Sequence, residues 1–169
     1  MHPILKKLTG GTRRSIGRSN QVAAEVLTRP NLFPHLVTAL ASKDEPLRMR
    51  AADAIEKIST RNPTLLQPFK KQFLTIASRA TQQELRWHAA QILPRLDLTP
   101  TERAAAVDIL FDYLRDKSSI VKTFAMQALA DLAATDPQLK SKILPLLEEL
   151  TQIGTPAMRA RGRKILRKL

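Results

Sequence analysis

A twelve-residue segment recurs along the chain and limits its fold more than any other feature. Residues 47–58 read LRMRAADAIEKI, 85–96 LRWHAAQILPRL, 121–132 VKTFAMQALADL and 158–169 MRARGRKILRKL. A small residue marks the middle of each copy: Ala51, Ala89, Ala125 and Gly162, at intervals of 38, 36 and 37 residues. Self-similarity at a period of roughly 20–50 residues is the signature of stacked units, none of which buries its apolar face alone.

Proline keeps the same beat. Asn62-Pro63, Thr99-Pro100 and Asp136-Pro137 stand 37 residues apart. Each pairs an N-cap residue type with proline at the first helical position, where the missing N–H is not needed. Glu102 falls three residues after Thr99 and completes a capping box. A helix therefore begins after each pair, and a second helix begins near Pro46, Thr81, Ser118 and Thr155-Pro156. The pattern predicts helix pairs over 3–8 with 18–27, 32–41 with 46–60, 63–79 with 82–96, 100–115 with 119–134, and 137–153 with 156–169. Strand alternation is absent. The expectation is an all-α, right-handed α-solenoid of two-helix repeats in a single domain. Its repeats span 31–61, 62–98, 99–135 and 136–169, after a degenerate first repeat over 1–30.

The recurring segments set their apolar residues on one stripe when stepped at about 100° per residue. The stripes are Leu47, Ala51, Ala54, Ile55 and Ile58; Leu85, Ala89, Ile92, Leu93 and Leu96; Val121, Ala125, Ala128, Leu129 and Leu132; and Met158, Gly162, Ile165, Leu166 and Leu169. The small central residue lets the paired helix come close.

The second helices, opening with LR or VK and continuing A–A–I/L, resemble HEAT repeats, members of the armadillo-like helical solenoids. The two-helix unit of about 37 residues agrees with that resemblance. It covers roughly residues 32–169. It implies that the second helices line a concave surface, and that an arginine at the edge of the stripe bonds a neighbouring loop. Arg48, Arg86, Lys122 and Arg159 occupy that edge and are expected to be structural rather than a phosphate ladder. On the concave side the resemblance implies Gln21, Glu25 and Thr28; Met49, Asp53 and Glu56; Trp87, Gln91 and Pro94; Thr123, Gln127 and Ala130; and Ala160, Lys164 and Arg167.

The chain carries 28 Lys and Arg against 15 Asp and Glu, a net charge of +13. Most of the excess sits at the ends. Residues 1–18 hold Lys6, Lys7, Arg13, Arg14 and Arg18, and residues 159–169 hold Arg159, Arg161, Arg163, Lys164, Arg167 and Lys168, with no acid in either stretch. Basic ends suit phosphates, anionic surfaces or acidic proteins. A long duplex on the concave row would meet Glu25, Asp53 and Glu56. The chain has no cysteine, which excludes disulfide and thiolate chemistry and fits a reducing compartment. No apolar run approaches the length of a membrane span, and the first eleven residues have too short an apolar core for a secretory signal. A cytoplasmic location is expected.

Little catalytic chemistry is visible. His2, His35 and His88 are scattered, with no zinc spacing. Gly10-Gly11-Thr12 followed by Arg13-Arg14-Ser15 is a phosphate-loop candidate without the P-loop lysine spacing. Asp108, Asp112 and Asp116 step along a first helix as a solvated face. The HEAT-like glycosylases of alkylated bases carry a concave tryptophan followed one turn later by aspartate; here Trp87 is followed by Gln91. No catalytic, metal or cofactor site is expected. The leading reading is a non-enzymatic scaffold binding a protein partner through Met49, Trp87, Gln91, Thr123 and Gln127. The alternative is nucleic-acid backbone binding by Arg161, Arg163, Lys164, Arg167 and Lys168. A HEAT-like enzyme, such as an alkylbase glycosylase or a bilin lyase, is the third. No membrane partner is expected, and a homodimer through the uncapped end is a further option.

Overall fold

The computed structural model describes residues 1–12 and 15–169; Arg13 and Arg14, part of the expected phosphate loop and basic end, lie outside the described residues. The described residues are helical with no strand. They form two compact units, residues 1–97 and 98–169.

The first unit holds α1 (Pro3–Lys6), α2 (Ser19–Thr28), α3 (Phe33–Ala39), α4 (Glu45–Arg61), α5 (Lys70–Arg79) and α6 (Gln83–Ile92). Helix α4 is its centre, packed on α2, α3 and α6. Asp44 caps α4, accepting the Leu47 N–H at 3.0 Å. Prolines split two predicted helices. Residues Pro63–Phe69 are 3-10 and α5 starts only at Lys70, because Pro68 has no N–H to continue an α-ladder. Asn62 is not the cap expected; its Oδ1 accepts from the Thr64 hydroxyl instead. Likewise α6 gives way to a 3-10 turn, Leu93–Arg95, at Pro94.

The second unit holds α7 (Pro100–Tyr113), α8 (Ser119–Ala133), α9 (Pro137–Ile153) and α10 (Pro156–Leu166). Its caps follow the sequence. Thr99 and Glu102 form the capping box at 3.3 and 2.9 Å. Asp136, Ser118 and Thr155 accept the Leu139, Val121 and Met158 N–H groups. Helix α8 packs on α7, α9 and α10.

The apolar stripes are buried as the wheels require in α4, α6 and α8. In α10, Met158, Gly162 and Ile165 are buried, whereas Leu166 and Leu169 are half-buried. The small central residue sets the helix approach. A Cβ on Gly162 would stand 1.9 Å from Thr151 Oγ1 of α9, and that hydroxyl is fixed by donating to the Leu147 carbonyl at 2.6 Å.

Arg50 is the largest fully buried side chain. Its guanidinium donates to the carbonyls of Ser15 (2.9 Å), Leu8 (2.8 Å), Thr12 (3.0 Å) and Gly10. Gly11 (φ 72°) and Gly17 (φ 55°) adopt the left-handed conformation beside it, where a side chain would be strained and would press on Arg50. The glycine-rich stretch therefore aims carbonyls inward at an arginine. That is the opposite polarity from the N–H-lined cradle a phosphate needs.

Candidate functional site

The candidate residues stand on the second helices: α2, α4 and α6 in the first unit, α8 and α10 in the second. An isolated helix would expose a whole face. Here α4 has neighbours on both flanks, so the exposed strip narrows. Met49 (6% exposed) and Asp53 (9%) are buried, which corrects the expectation that both face solvent. Thr123 is buried too; its hydroxyl turns onto α8 and donates to the Ser119 carbonyl at 2.7 Å. Ala130 is likewise buried. Trp87, Gln91 and Gln127 remain half-exposed.

In the first unit the polar second-helix residues satisfy one another. The Ser19 hydroxyl donates to Asp53, and Lys57 Nζ donates to the same carboxylate at 2.5 Å. Arg95 bonds the Glu56 carboxylate at 2.8 Å, the Glu56 carbonyl at 3.0 Å and the Ser59 hydroxyl. Glu25 takes both Lys7 and Arg29, and these cations hold its carboxyl below the usual range, the Lys7 hydrogen bond first among the causes. His88 is buried with Nε2 4.0 Å from Asp53 and Nδ1 without a hydrogen bond. Burial pushes its pKa down, against the opposing pull of Asp53, Glu56 and Glu84, so the ring is neutral near neutrality. Trp87 meets the His88 ring edge-on at 5.8 Å, and its carbonyl accepts from Gln91 Nε2 at 3.1 Å.

Serine, aspartate, lysine and histidine thus come together around Asp53, a grouping the sequence reading did not assemble. Ser19 is fully buried and Asp53 is engaged by its neighbours, so the group joins α2, α4 and α6. The signal that could have found it is a shared register. Arg50, His88, Phe124 and Arg161 each precede the small residue of their helix. Arg50 reaches the loop ahead of α2, His88 faces Asp53 of α4, and Arg161 reaches Gln127 and Phe124 of α8.

Two members of the edge row, Arg48 and Arg86, are bonded inside the fold. Arg48 donates to the Ser42 carbonyl at 2.6 Å and to Gln82 at 2.9 Å, and Arg86 donates to the Ala80 carbonyl at 2.7 Å. These bonds tie the loop before each second helix to the helix itself. Lys122 is half-exposed and Arg159 exposed.

In the second unit the polar row is more open. Gln127 Nε2 donates to Asp131 at 2.8 Å, and its Oε1 accepts from Arg161 at 3.2 Å. The Arg161 guanidinium lies over the Phe124 ring, 5.7 Å from its centre. The five cations expected as phosphate contacts do not share a face. Arg161, Lys164 and Lys168 line a groove of about 390 Å³ between α8 and α10. Arg163 and Arg167 fall about 200–240° around the helix from Arg161, exposed, with Arg167 Nε donating to the Arg163 carbonyl. Asp108 and Asp112 are exposed on α7, as expected. Among the described residues no metal-binding cluster occurs, and no helix is long and apolar enough to cross a membrane.

No protein-family model matches the sequence, and no curated protein matches it. Solved structures do. Computationally designed armadillo repeat proteins for modular peptide recognition match with a TM-score of 0.66 at 20% identity, over 98% of this chain and 80% of theirs. A designed armadillo repeat protein in complex with the peptide (KR)4 matches at 0.64 and 18% identity, over 98% of this chain and 80% of that one. A third designed armadillo repeat protein matches at 0.65 and 19% identity, with the same coverage. The fold is thus an all-α repeat solenoid of the armadillo/HEAT kind. A shared fold does not carry a shared function.

Proposed function

We propose that the protein is a non-enzymatic repeat scaffold whose second helices, within each unit, bind segments of a protein partner. The observation that carries the reading is that each unit leaves second-helix side chains partly open: Trp87 and Gln91 on α6 of the first and, separately, Gln127 on α8 of the second. Tryptophan is the residue type most enriched in binding hot spots. A glutamine amide has two N–H groups and two lone pairs, so Gln91 and Gln127 keep hydrogen-bonding capacity for a peptide backbone beyond the internal bonds they make. Designed proteins of this fold recognise peptides, which supports the same use here. Two further facts favour a scaffold over an enzyme. Gln91 cannot act as the carboxylate one turn after Trp87, and Asp53 is held by Ser19 and Lys57. Met49 and Thr123 are buried, so the binding residues narrow to Trp87, Gln91 and Gln127.

The test is a random-peptide display selection on the natural protein, compared with variants Trp87→Ala/Gln91→Ala and Gln127→Ala. Enriched peptides that lose binding to one of these variants, while the variants keep the natural melting temperature, support the reading. Enrichment of none, or of peptides indifferent to all three changes, contradicts it. Duplex DNA is the control ligand: a steep fall of its binding with salt, alongside absent peptide binding, moves the function to nucleic acid.

A further inference from the structure

We infer that the groove between α8 and α10 takes an extended acidic segment of a protein partner. The inference rests on the peptide-scaffold reading and adds the chemistry of the ligand.

The groove has one charged wall. Arg161, Lys164 and Lys168 line it from the α10 side, and among the described residues no carboxylate pairs with any of them. The nearest acid in the lining is Asp131, on α8, where Gln127 donates to it. Arg161 is pre-positioned by the Gln127 oxygen and the Phe124 ring. Lys164 and Lys168 are exposed. Between the walls the floor is small and apolar: Ala130, Ala134, Ile165 and Leu169. A ligand that fits this groove therefore brings negative charge to α10 and something narrow and apolar to the floor.

Spacing favours an extended chain. Lys164 stands in the last turn of α10 and Lys168 in the turn that follows, where its N–H donates to the Ile165 carbonyl at 2.8 Å, so the two are on the order of 6 Å apart along the chain's continuing turn. Alternate side chains of an extended peptide lie about 6.5–7 Å apart on one side. Carboxylates two residues apart can therefore meet the two lysines together. Asp131 sets the orientation, because it repels acids placed on the α8 side. A peptide suits the groove better than a nucleic-acid strand. The groove lining holds no aromatic ring on which a base could stack, and Phe124, outside the lining, lies beneath the Arg161 guanidinium. The sign of the partner is the reverse of that of the (KR)4 peptide bound by the designed relative.

The probe is fluorescein-labelled (Glu-Val)4, followed by anisotropy at low and high salt beside (Lys-Val)4, (Ser-Val)4 and an eight-nucleotide DNA strand. Two variants carry the same change of charge: Lys164→Glu/Lys168→Glu in the groove, and Arg163→Glu/Arg167→Glu on the other side of α10. All four side chains are exposed, so circular dichroism should show both variants folded. The inference expects (Glu-Val)4 to bind, the groove variant to weaken it about tenfold or more, and the other variant to weaken it only about two- to threefold through the general field. Equal losses in the two variants overturn it, because the attraction is then nonspecific. Tighter binding of the DNA strand with the same Lys164/Lys168 dependence also overturns it, in favour of phosphate. Failure of (Glu-Val)4 while displayed peptides bind in a Trp87-dependent way removes the acidic-groove inference and leaves the scaffold reading standing. Failure of every peptide removes both.

Discussion

The two units treat their charged second-helix residues differently. In the first, the charges along α2 and the middle of α4 are bonded inside the fold: Glu25 with Lys7 and Arg29, Asp53 with Lys57, Glu56 with Arg95, and Arg50 with four loop carbonyls. In the second, Arg161, Lys164 and Lys168 face a groove with no pairing carboxylate. Both stretches are rich in bases, so base count alone does not locate a binding surface. What matters is whether a carboxylate or carbonyl is built within reach. A buried cation whose donors are already bonded has none left to offer a ligand, whereas exposed ones on a groove wall, such as Lys164 and Lys168, do.

The sharpest way to break this comparison is to remove the inward use of charge in the first unit. Arg50→Ala leaves four carbonyls without their shared donor, all of them in the stretch between α1 and α2. The expected loss is about 3 kcal/mol, read from the midpoint of urea unfolding. Arg50→Lys should recover only a small part, since an ammonium cannot span the same fork of acceptors. A loss near zero would mean that the arginine is not the centre of that loop. Trp87, the single tryptophan, lies in the first unit and reports its unfolding by fluorescence.

The second unit has its own counterpart in packing. Gly162→Ala should destabilise by about 1–3 kcal/mol through overpacking against Thr151, although alanine is the better helix former. Adding Thr151→Ala should recover most of the loss. A stabilised single variant would show that α9 and α10 have room to spare.

Smaller effects sharpen the contrast. Arg86→Ala removes a bond to the Ala80 carbonyl and should cost about 1 kcal/mol without changing peptide affinity. The smallest effect is the pH response of His88. Burial lowers its folded pKa, so the unfolded chain takes the proton first as pH falls. Its contribution to stability is complete above about pH 6.5 and declines as pH falls from there toward the folded value. The natural protein should therefore lose stability on acidification in that window, and His88→Gln should flatten the profile.

Much of the fold was legible because a repeat states its apolar pattern four times over. The stripes of α4, α6 and α8 and the caps at Thr99 and Asp136 follow directly from periodicity and N-cap chemistry. The misses have separate physical causes. A single-helix wheel treats each helix as though one side faced water, yet a repeat's second helix also meets the second helix beside it. Met49 and Asp53 are buried for that reason, and Arg50 was passed over because its partners are carbonyls, which leave no mark in side-chain sequence. The proline breaks at Pro68 and Pro94 were visible in the sequence, but the surrounding helical period obscured them. The basic terminal helix was legible as a charge cluster. Its division into a groove side and an outer side became plain only when α8 was placed against α10.

The most direct test of the contrast between the units is amide chemical-shift mapping of the isotope-labelled protein titrated with (Glu-Val)4. The account predicts that the perturbed amides centre on Gln127, Ala130, Asp131 and Ala134 and on Arg161, Lys164, Ile165 and Lys168, and that the amides around Glu25, Asp53 and Glu56 stay in place. Perturbations centred on the first unit's paired charges, or on Arg163 and Arg167, would contradict it.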